Sequence, residues 1–189
     1  MKTRLFAAAA LLGLSAWFLG ACSILNAPSA VSNTSGAVTT VPARATTAKI
    51  GSLPPEIDLK SMTGDQITLS KLQGHAVLVN FWATWCGPCR EEFPALVRKY
   101  KQYQDQGFIV LGVNTQDENS DSGVLTFMRN TLVNFPVVRD PGDQLSRAYR
   151  VNGLPTSFFI DRSGILRDTV VGGPMTDDFL DKEFAKINQ

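Results

Sequence analysis

The pattern of apolar and polar residues predicts a hairpin followed by two buried strands. Residues 57–59 and 67–69 alternate apolar and polar side chains on either side of the turn residues 63–65, which predicts a β-hairpin. Two later runs, 76–82 and 108–114, are almost entirely apolar. Runs of this length and composition are typical of strands that are covered on both faces of a sheet.

A helical period follows the first apolar run. Apolar side chains recur at positions i, i+4, i+7, i+8 and i+11 and form one stripe facing a core: Cys89, Phe93, Leu96, Val97 and Tyr100. Pro94 lies within this stripe. Because proline removes a backbone hydrogen bond, it predicts a kink one turn beyond Cys89.

The remainder of the chain continues the alternation of short elements. We predict a polar loop over 116–123, helices over 124–132 and 143–149, strands at 137–138, 156–160 and 165–171, and a last helix over 176–187 with Thr176 as its N-cap. Strands that alternate with helices, followed by a hairpin and a final helix, predict an α/β sandwich around a mixed β-sheet.

The N-terminal residues have a separate pattern, which predicts an export signal at 1–21. Lys2 and Arg4 precede an uncharged apolar run of sixteen residues, which is short for a membrane-spanning helix. The sequence Leu-Gly-Ala-Cys ending at Cys22 resembles a bacterial lipobox, in which a peptidase cuts before the cysteine and the cysteine carries a lipid. The alternative is an uncleaved signal anchor, with Cys22 an incidental thiol.

Residues 22–49 are predicted to form the lipidated cysteine and a flexible tether. The folded domain is predicted at residues 50–189. The segment is rich in Ser, Thr, Ala and Pro and has almost no large apolar residue after Leu25, so it cannot bury a core. With either interpretation of Cys22, the domain is expected outside the cytoplasm and held at a membrane.

Composition and charge exclude one class of partner. The 189 residues are 44% hydrophobic and 19% charged, as in ordinary globular proteins, and their formal net charge is +1. Loss of the first 21 residues leaves 16 basic against 17 acidic residues, a net charge of about −1. Neither net charge indicates nucleic-acid binding, and no basic cluster in the sequence argues for it.

The cysteines and the single histidine limit the possible metal chemistry. The chain has three cysteines, Cys22, Cys86 and Cys89, and one histidine, His75. A zinc site needs about four Cys, His or carboxylate ligands, and no such cluster appears, so we predict no metal site. His75 begins a strand, where an exposed residue is a simpler interpretation than the base of a Cys–His protease.

Cys86 and Cys89 lie where an apolar strand meets a helix. Backbone N–H groups and the helix dipole stabilise a thiolate at this position and lower its pKa. The spacing brings the second sulfur within reach of the first, so that a disulfide can open and close. The pattern predicts a thiol–disulfide oxidoreductase, with a structural disulfide and a metal-binding Cys-x-x-Cys as the alternatives.

Several segments together resemble a known family. Residues 81–89, Phe-Trp-Ala-Thr-Trp-Cys-Gly-Pro-Cys, are similar to the thioredoxin active-site stretch, and Gly-Leu-Pro-Thr at 153–156 looks like the cis-proline loop of that fold. The hairpin, the Arg-Glu-Glu-Phe-Pro sequence at 90–94, a loop-helix inserted at 115–135 and the lipobox narrow the resemblance. Over about residues 50–189, the chain resembles the TlpA/ResA-like group of membrane-tethered, extracytoplasmic thiol–disulfide oxidoreductases. This resemblance implies a thioredoxin-like sandwich.

The resemblance implies a separate role for each residue around the cysteines. Cys86 would be the exposed nucleophile that attacks a partner disulfide, and Cys89 the shielded thiol that resolves the mixed disulfide. Gly87 and Pro88 form the dipeptide of reducing thioredoxins and favour a low reduction potential, although ResA has Glu-Pro there. Trp85 would cover part of the active-site surface, with simple packing as the alternative. No bound cofactor is needed.

The cis-proline loop is expected to face the cysteines. The resemblance implies that the Leu154–Pro155 bond is cis. A cis bond would expose the Leu154 backbone beside Cys86, where an extended substrate segment can pair with it. Pro155 would also keep metals from the dithiol.

A glutamate is the expected proton carrier. Glu92 follows Cys89 on the adjoining face of the helix, and in ResA-like proteins the matching residue handles protons. Thioredoxin carries a buried acid where this chain has Asn80, so the proton role needs another residue. The alternative, which we prefer for Glu91, is that a glutamate merely complements the helix N-terminus.

The resemblance also suggests partners. The dithiol form would reduce apocytochrome c or another exported protein, with electrons from a membrane thiol carrier of the CcdA/DsbD type. The opposite direction, a disulfide-forming oxidant, is the first alternative.

Three other functions of the fold are less consistent with the sequence. A peroxiredoxin-like antioxidant would have Thr three residues before its cysteine, where this chain has Ala83. A Sco-like copper-handling protein would need a wider cysteine spacing and a distal histidine, whereas His75 lies upstream. A non-enzymatic interaction module would not use the two cysteines.

Overall fold

The computed structural model describes residues 44–189. The predicted signal peptide, Cys22 and the tether up to residue 43 lie outside these residues. The strands are β1 (Asp58–Lys60), β2 (Gln66–Thr68), β3 (Ala76–Trp82), β4 (Phe108–Asn114), β5 (Val137–Arg139), β6 (Thr156–Ile160) and β7 (Leu166–Val171). The helices are α1 (Gly87–Tyr103), α2 (Asp121–Asn130), α3 (Gln144–Ala148) and α4 (Asp177–Ile187).

A five-stranded mixed sheet forms the centre of the molecule. Its strand order is β5-β4-β3-β6-β7. Strands β3, β4 and β5 are parallel, whereas β6 runs antiparallel to both β3 and β7. The β1–β2 pair forms a separate antiparallel hairpin, as predicted. The mixed sheet and the flanking helices confirm the predicted α/β sandwich.

The core has two parts, one on each face of the sheet. Along β3, Leu78 and Trp82 pack on one face with apolar residues of α1 and α4. Val79 and Phe81 point to the other face, where they pack with Ile57 and other residues of the second cluster. All seven residues of β3 are buried, because the sheet is covered on both sides. This burial explains the nearly continuous apolar run in the sequence.

Helix α1 continues through Pro94 as one element, and the kink at this residue stays a prediction. One helix boundary differs from the prediction. Helix α2 begins at Asp121, earlier than the apolar spacing indicated, because the Ser120 side chain accepts a hydrogen bond from the Gly123 backbone and caps a polar first turn. For α4, Thr176 is the N-cap, as predicted.

Residues 44–49, which composition assigned to the tether, make contacts with the domain. The Ala45 and Ala48 backbone N–H groups donate to Leu53 and Ala148 at 3.1 and 3.0 Å. Arg44 forms an ion pair with Glu56 at 2.9 Å. These contacts use backbone groups and one charged side chain, neither of which leaves an apolar pattern in the sequence. Within residues 44–189, no helix combines the length and apolar character that crossing a membrane requires.

Candidate active site

The cysteine pair lies at the junction between β3 and α1. Cys86 is the N-cap of α1, and its sulfur accepts a hydrogen bond from the Cys89 backbone N–H at 3.2 Å. Pro88 occupies the first turn of α1. Backbone N–H groups in the first turn have no acceptor within the helix, so proline, which lacks this group, loses no hydrogen bond there. The local sequence therefore places both sulfurs at the positive end of the helix dipole, which favours a thiolate.

Cys86 and Cys89 form a disulfide, with their Cα atoms 5.3 Å apart. Cys89 is fully buried, as expected for the shielded thiol, whereas Cys86 is 3% exposed. The expectation of an exposed Cys86 is therefore not met in the disulfide form. The bond to the buried Cys89 holds the Cys86 sulfur against the domain, so only a small part of this residue faces solvent.

The inserted loop holds the active-site loop through a carboxylate. Asp117 accepts hydrogen bonds from the Thr84 backbone N–H at 2.6 Å and from the Thr84 hydroxyl at 3.0 Å. The side-chain amides of Asn114 and Asn119 also donate to Asp117. Burial raises the pKa of Asp117, but these hydrogen bonds outweigh burial and hold the pKa at about 2. Asp117 is therefore a fixed anion that orients the chain just before Cys86.

Asp117 is a residue of the site that the sequence did not reveal, because it lies in the segment predicted only as a polar loop. The strand pattern could have indicated its position. Residues that directly follow neighbouring parallel strands meet at the same edge of a sheet. Thr84 follows β3 and Asp117 follows β4, and these two strands are parallel.

Two further contacts position the same loop. The Arg90 guanidinium donates from Nε and Nη2 to the Thr84 carbonyl, at 2.9 and 2.7 Å, and lies over the Phe127 ring. The Trp85 indole N–H donates to the Gln116 carbonyl at 2.7 Å. Trp85 is 58% exposed, so its ring lies at the surface beside the disulfide rather than in the core.

Glu92 is buried one turn beyond Cys89, with 1% of its surface exposed. Its Oε1 accepts a hydrogen bond from Asn80 Nδ2 at 2.8 Å, and Asn80 also donates to Ser157 Oγ at 2.9 Å. Within the described residues, Oε2 has no hydrogen-bond partner. Burial raises the pKa of Glu92 to about 7, although hydrogen bonding from Asn80 and from the Met175 backbone opposes this increase. By contrast, Glu91 is exposed.

The predicted cis-proline loop approaches Glu92 from the other side. The Leu154–Pro155 bond is cis, as the resemblance implied. Leu154 is half-buried and packs against the apolar cluster that contains both cysteines. A Cβ atom added to Gly173 would lie 2.9 Å from Pro155 Cγ and 2.7 Å from Glu92 Oε2, so the three residues meet at one point.

The remaining candidate residues lie away from this site or outside the described chain. His75 is exposed at the start of β3. Cys22, the predicted lipid-attachment residue, lies outside residues 44–189. Within that part of the chain, no group of three or more His, Cys, Asp or Glu side chains is arranged to hold a metal ion.

Comparison with known proteins gives a consistent result. The AhpC/TSA family has a model that matches residues 50–169. The thiol-disulfide oxidoreductase ResA of Bacillus subtilis is 42% identical over 130 residues, which cover 69% of this chain and 71% of the relative.

Two solved structures share the fold. One is a thiol:disulfide interchange protein of the thioredoxin family from Chlorobium tepidum, with a TM-score of 0.67 and 29% sequence identity. The match covers 75% of this chain and 99% of that protein's chain. Another is the exposed lipoprotein thioredoxin Etrx1 from Streptococcus pneumoniae, with a TM-score of 0.62 and 29% sequence identity. The match covers 70% of this chain and 99% of that protein's chain.

Proposed function

Because this chain belongs to the AhpC/TSA family and is a thiol–disulfide oxidoreductase similar to ResA, we propose that it reduces disulfide bonds in exported proteins outside the cytoplasm. One observation carries the proposal. The Cys86–Cys89 pair lies at the N-terminus of α1, and a buried carboxyl group that titrates near neutral pH lies one turn beyond it.

The reaction is a pair of thiol–disulfide exchanges. In the dithiol form, the Cys86 thiolate attacks one sulfur of the partner disulfide and expels the other sulfur as a thiolate. The Cys89 thiolate then attacks the Cys86 sulfur of the mixed disulfide and releases the second partner thiolate. Two protons reach the released thiols, and the two electrons come from the protein, which ends as the Cys86–Cys89 disulfide.

Glu92 supplies or accepts a proton during this cycle. Cys89 must lose its proton before it attacks, although it is fully buried, and a buried thiol holds its proton strongly. A nearby carboxyl with a pKa of about 7 exchanges protons at physiological pH. The geometry that supports this role is the position of Glu92 three residues after Cys89 on the same helix.

The direction, location and partners of the reaction belong to the same proposal. Gly87 and Pro88 favour a reducing pair, and the lipobox at Cys22 favours a lipid anchor on the outer side of a membrane. Etrx1, one of the structural relatives, is described as an exposed lipoprotein. We propose apocytochrome c or another exported protein as the substrate, and a membrane thiol carrier of the CcdA/DsbD type as the electron donor.

Two measurements test this function together. A Cys89→Ser variant cannot resolve mixed disulfides, so it should accumulate partner proteins bound to Cys86, whereas the Cys86→Ser/Cys89→Ser control should capture none. The reduction potential of the wild-type pair should lie near that of thioredoxin, about −270 mV. A potential near that of the oxidant DsbA, about −120 mV, would contradict the reductase proposal and favour a disulfide-forming oxidant.

A further inference from the structure

Gly173 lies in the loop between β7 and α4, directly over the Glu92 carboxyl group. A Cβ atom at this position would lie 2.7 Å from Glu92 Oε2 and 2.9 Å from Pro155 Cγ. Ordinary van der Waals contact between heavy atoms occurs at about 3.5–4.0 Å. No residue larger than glycine therefore fits at this position without a displacement.

The structure shows a lack of space for a Cβ atom at Gly173. Gly172 has φ +87°, a value that favours glycine, but Gly173 is not among the residues with positive φ. Gly173 is followed by a cis peptide bond to Pro174, and the observation that favours glycine here is the close approach of Glu92 and Pro155 to its Cβ position. The two adjacent glycines thus have different reasons to be glycine.

The loop is held at both ends, so it cannot easily move to make room. The Gly172 backbone N–H donates to the Pro155 carbonyl at 2.8 Å. Met175 is buried in the apolar core, and Thr176 caps α4. The ring of Pro155 is part of a buried segment at the start of β6. The Glu92 side chain is therefore held between its own helix and a tightly packed loop.

The loop covers the side of the Glu92 carboxyl that carries Oε2. Asn80 from β3 donates to Oε1, and no hydrogen bond of full geometry within residues 44–189 reaches Oε2, which faces Gly173. The backbone of Met175, in the same loop as Gly173, also favours the charged form of Glu92. The contacts from β3, from the start of β6 and from the loop are all uncharged. On α1, the two cysteines lie one and two turns earlier and titrate only in the reduced protein, and the charged neighbours Arg90 and Glu91 are exposed.

We propose that Gly173 is a positioning residue for disulfide exchange. Its missing side chain allows the loop at 172–175 to close on Glu92 and Pro155, and this closure keeps the proton-exchanging carboxyl in a dry site beside the cis-proline loop. The inference rests on the proposed role of Glu92 in proton transfer and extends it to the residue that seals the carboxyl.

The direct test is a Gly173→Ala variant, followed by NMR titration of the ¹³C-labelled Glu92 carboxyl group in the oxidised protein. The methyl group should displace the loop or the carboxyl and admit water to Oε2. The titration midpoint should then fall by about one pH unit or more, towards the ordinary value of a glutamate. In the reduced protein, the pH profile for reduction of a small disulfide should move in the same direction. An unchanged midpoint would overturn the proposal.

Gly153→Ala is the matched control. Gly153 lies two residues before Pro155, but a Cβ atom there would meet nothing within 4 Å, and its φ is not positive. This variant should leave the Glu92 titration as in the wild type. If Gly153→Ala shifts that titration as much as Gly173→Ala does, the effect belongs to any added methyl group near the cis-proline loop and the proposal fails.

A double variant keeps the proposal testable if Gly173→Ala folds poorly. Removal of the carboxyl in Glu92→Ala opens space beneath residue 173. Adding Gly173→Ala to the Glu92→Ala variant should therefore reduce thermal stability less than adding it to the wild type does. Equal losses would contradict the contact. The pH profile of the double variant should equal that of Glu92→Ala, because no carboxyl remains to be positioned.

The same set of variants separates this inference from the function on which it rests. If Glu92→Ala leaves the pH profile unchanged, the proton role of Glu92 is wrong, and with it the basis of this inference. If Glu92→Ala changes the profile but Gly173→Ala moves neither the profile nor the Glu92 titration, only the role of Gly173 is wrong.

Discussion

Two carboxylates lie near the active-site loop, and their surroundings give them opposite properties. Asp117, on the inserted loop, accepts hydrogen bonds from both the backbone and the side chain of Thr84 and from two asparagines, and its pKa is about 2. Glu92 accepts a hydrogen bond from the Asn80 side chain, the Met175 backbone also favours its charged form, and its pKa is about 7. Burial opposes the charge of both groups. Glu92 is nearly fully buried and Asp117 only partly so, and Asp117 has more donors; burial and donors together decide which carboxyl stays ionised and which can exchange a proton.

The same difference gives the two carboxylates different roles, structural support for Asp117 and proton exchange for Glu92. An anion that is fully hydrogen-bonded does not change state in the physiological range, so Asp117 can hold the loop of Thr84 without responding to pH. Glu92 has an unpaired oxygen in a dry site, and a proton on that oxygen removes a buried charge. The side of the site near the inserted loop is therefore static, whereas the side near the cis-proline loop can respond to protons.

The largest expected effect comes from removing the titrating carboxyl. The pKa of Glu92 is higher in the folded protein, about 7, than its ordinary value of 4.5. The folded state thus binds the proton more tightly, and the associated stability is present below pH 4.5 and is lost as the pH rises through about 7. This loss amounts to about 3 kcal/mol. Glu92→Gln should abolish it, as measured by urea unfolding at a series of pH values.

Two further results would check the role of Glu92. Glu92→Gln should also change the pH dependence of both cysteine thiols in the reduced protein, and an unchanged thiol titration would refute the proton role. The control is Glu91→Gln, because Glu91 is an exposed neighbour on the same helix. That variant should keep the wild-type dependence of stability on pH.

Removal of the static carboxylate should have the next largest effect. Asp117→Ala leaves the Thr84 backbone N–H and its hydroxyl without their acceptor, and we expect a loss of about 2 kcal/mol in the free energy of unfolding. Because the pKa of Asp117 is lower in the folded protein than its ordinary value of 3.8, its contribution is present above pH 3.8 and is lost only as the pH falls through about 2. The loss should therefore be constant between pH 5 and pH 9.

Glu118→Ala is the matched control for Asp117, since Glu118 is exposed in the same loop. It should leave the stability within about 0.5 kcal/mol of the wild type. A loss in Asp117→Ala that varies strongly between pH 5 and pH 9 would show that both carboxylates titrate, and the contrast between them would be lost.

The smallest expected effect concerns Trp85. Trp85→Phe keeps an aromatic ring but removes the N–H that donates to the Gln116 carbonyl, so we expect a loss of about 0.5–1 kcal/mol. Gln116→Ala keeps the carbonyl and should retain the hydrogen bond. Equal stability of Trp85→Phe and the wild type would indicate that Asp117 holds the loop without help from the indole.

Much of the fold could be predicted because it depends on residues close together in the sequence. The apolar runs of β3 and β4 and the Thr176 cap of α4 are local patterns, and the structure confirms them. The relation to ResA-like oxidoreductases was also recognisable from short segments, and the 42% identity to ResA confirms it. The roles of Cys86, Cys89 and Glu92 remain predictions.

Contacts between distant segments could not be predicted in the same way. The hydrogen bonds of Thr84 to Asp117 join positions that are 33 residues apart, and the contact of Gly173 with Glu92 joins the last loop to the first helix. Neither contact has a periodic or compositional signal. The nearly complete burial of Cys86 was missed for a similar reason, because residue type and spacing do not report how the folded chain covers a sulfur.

By itself, the sequence determined the order of strands and helices, the pairing of two cysteines at a helix N-terminus and a glutamate one turn beyond them. These features follow from side-chain period and from spacing along one helix. Only the tertiary structure decided that Asp117 is a fixed anion and that Glu92 titrates near pH 7. A pKa depends on the donors and the water around a group, and here the donors and the covering loop come from segments far apart in the sequence.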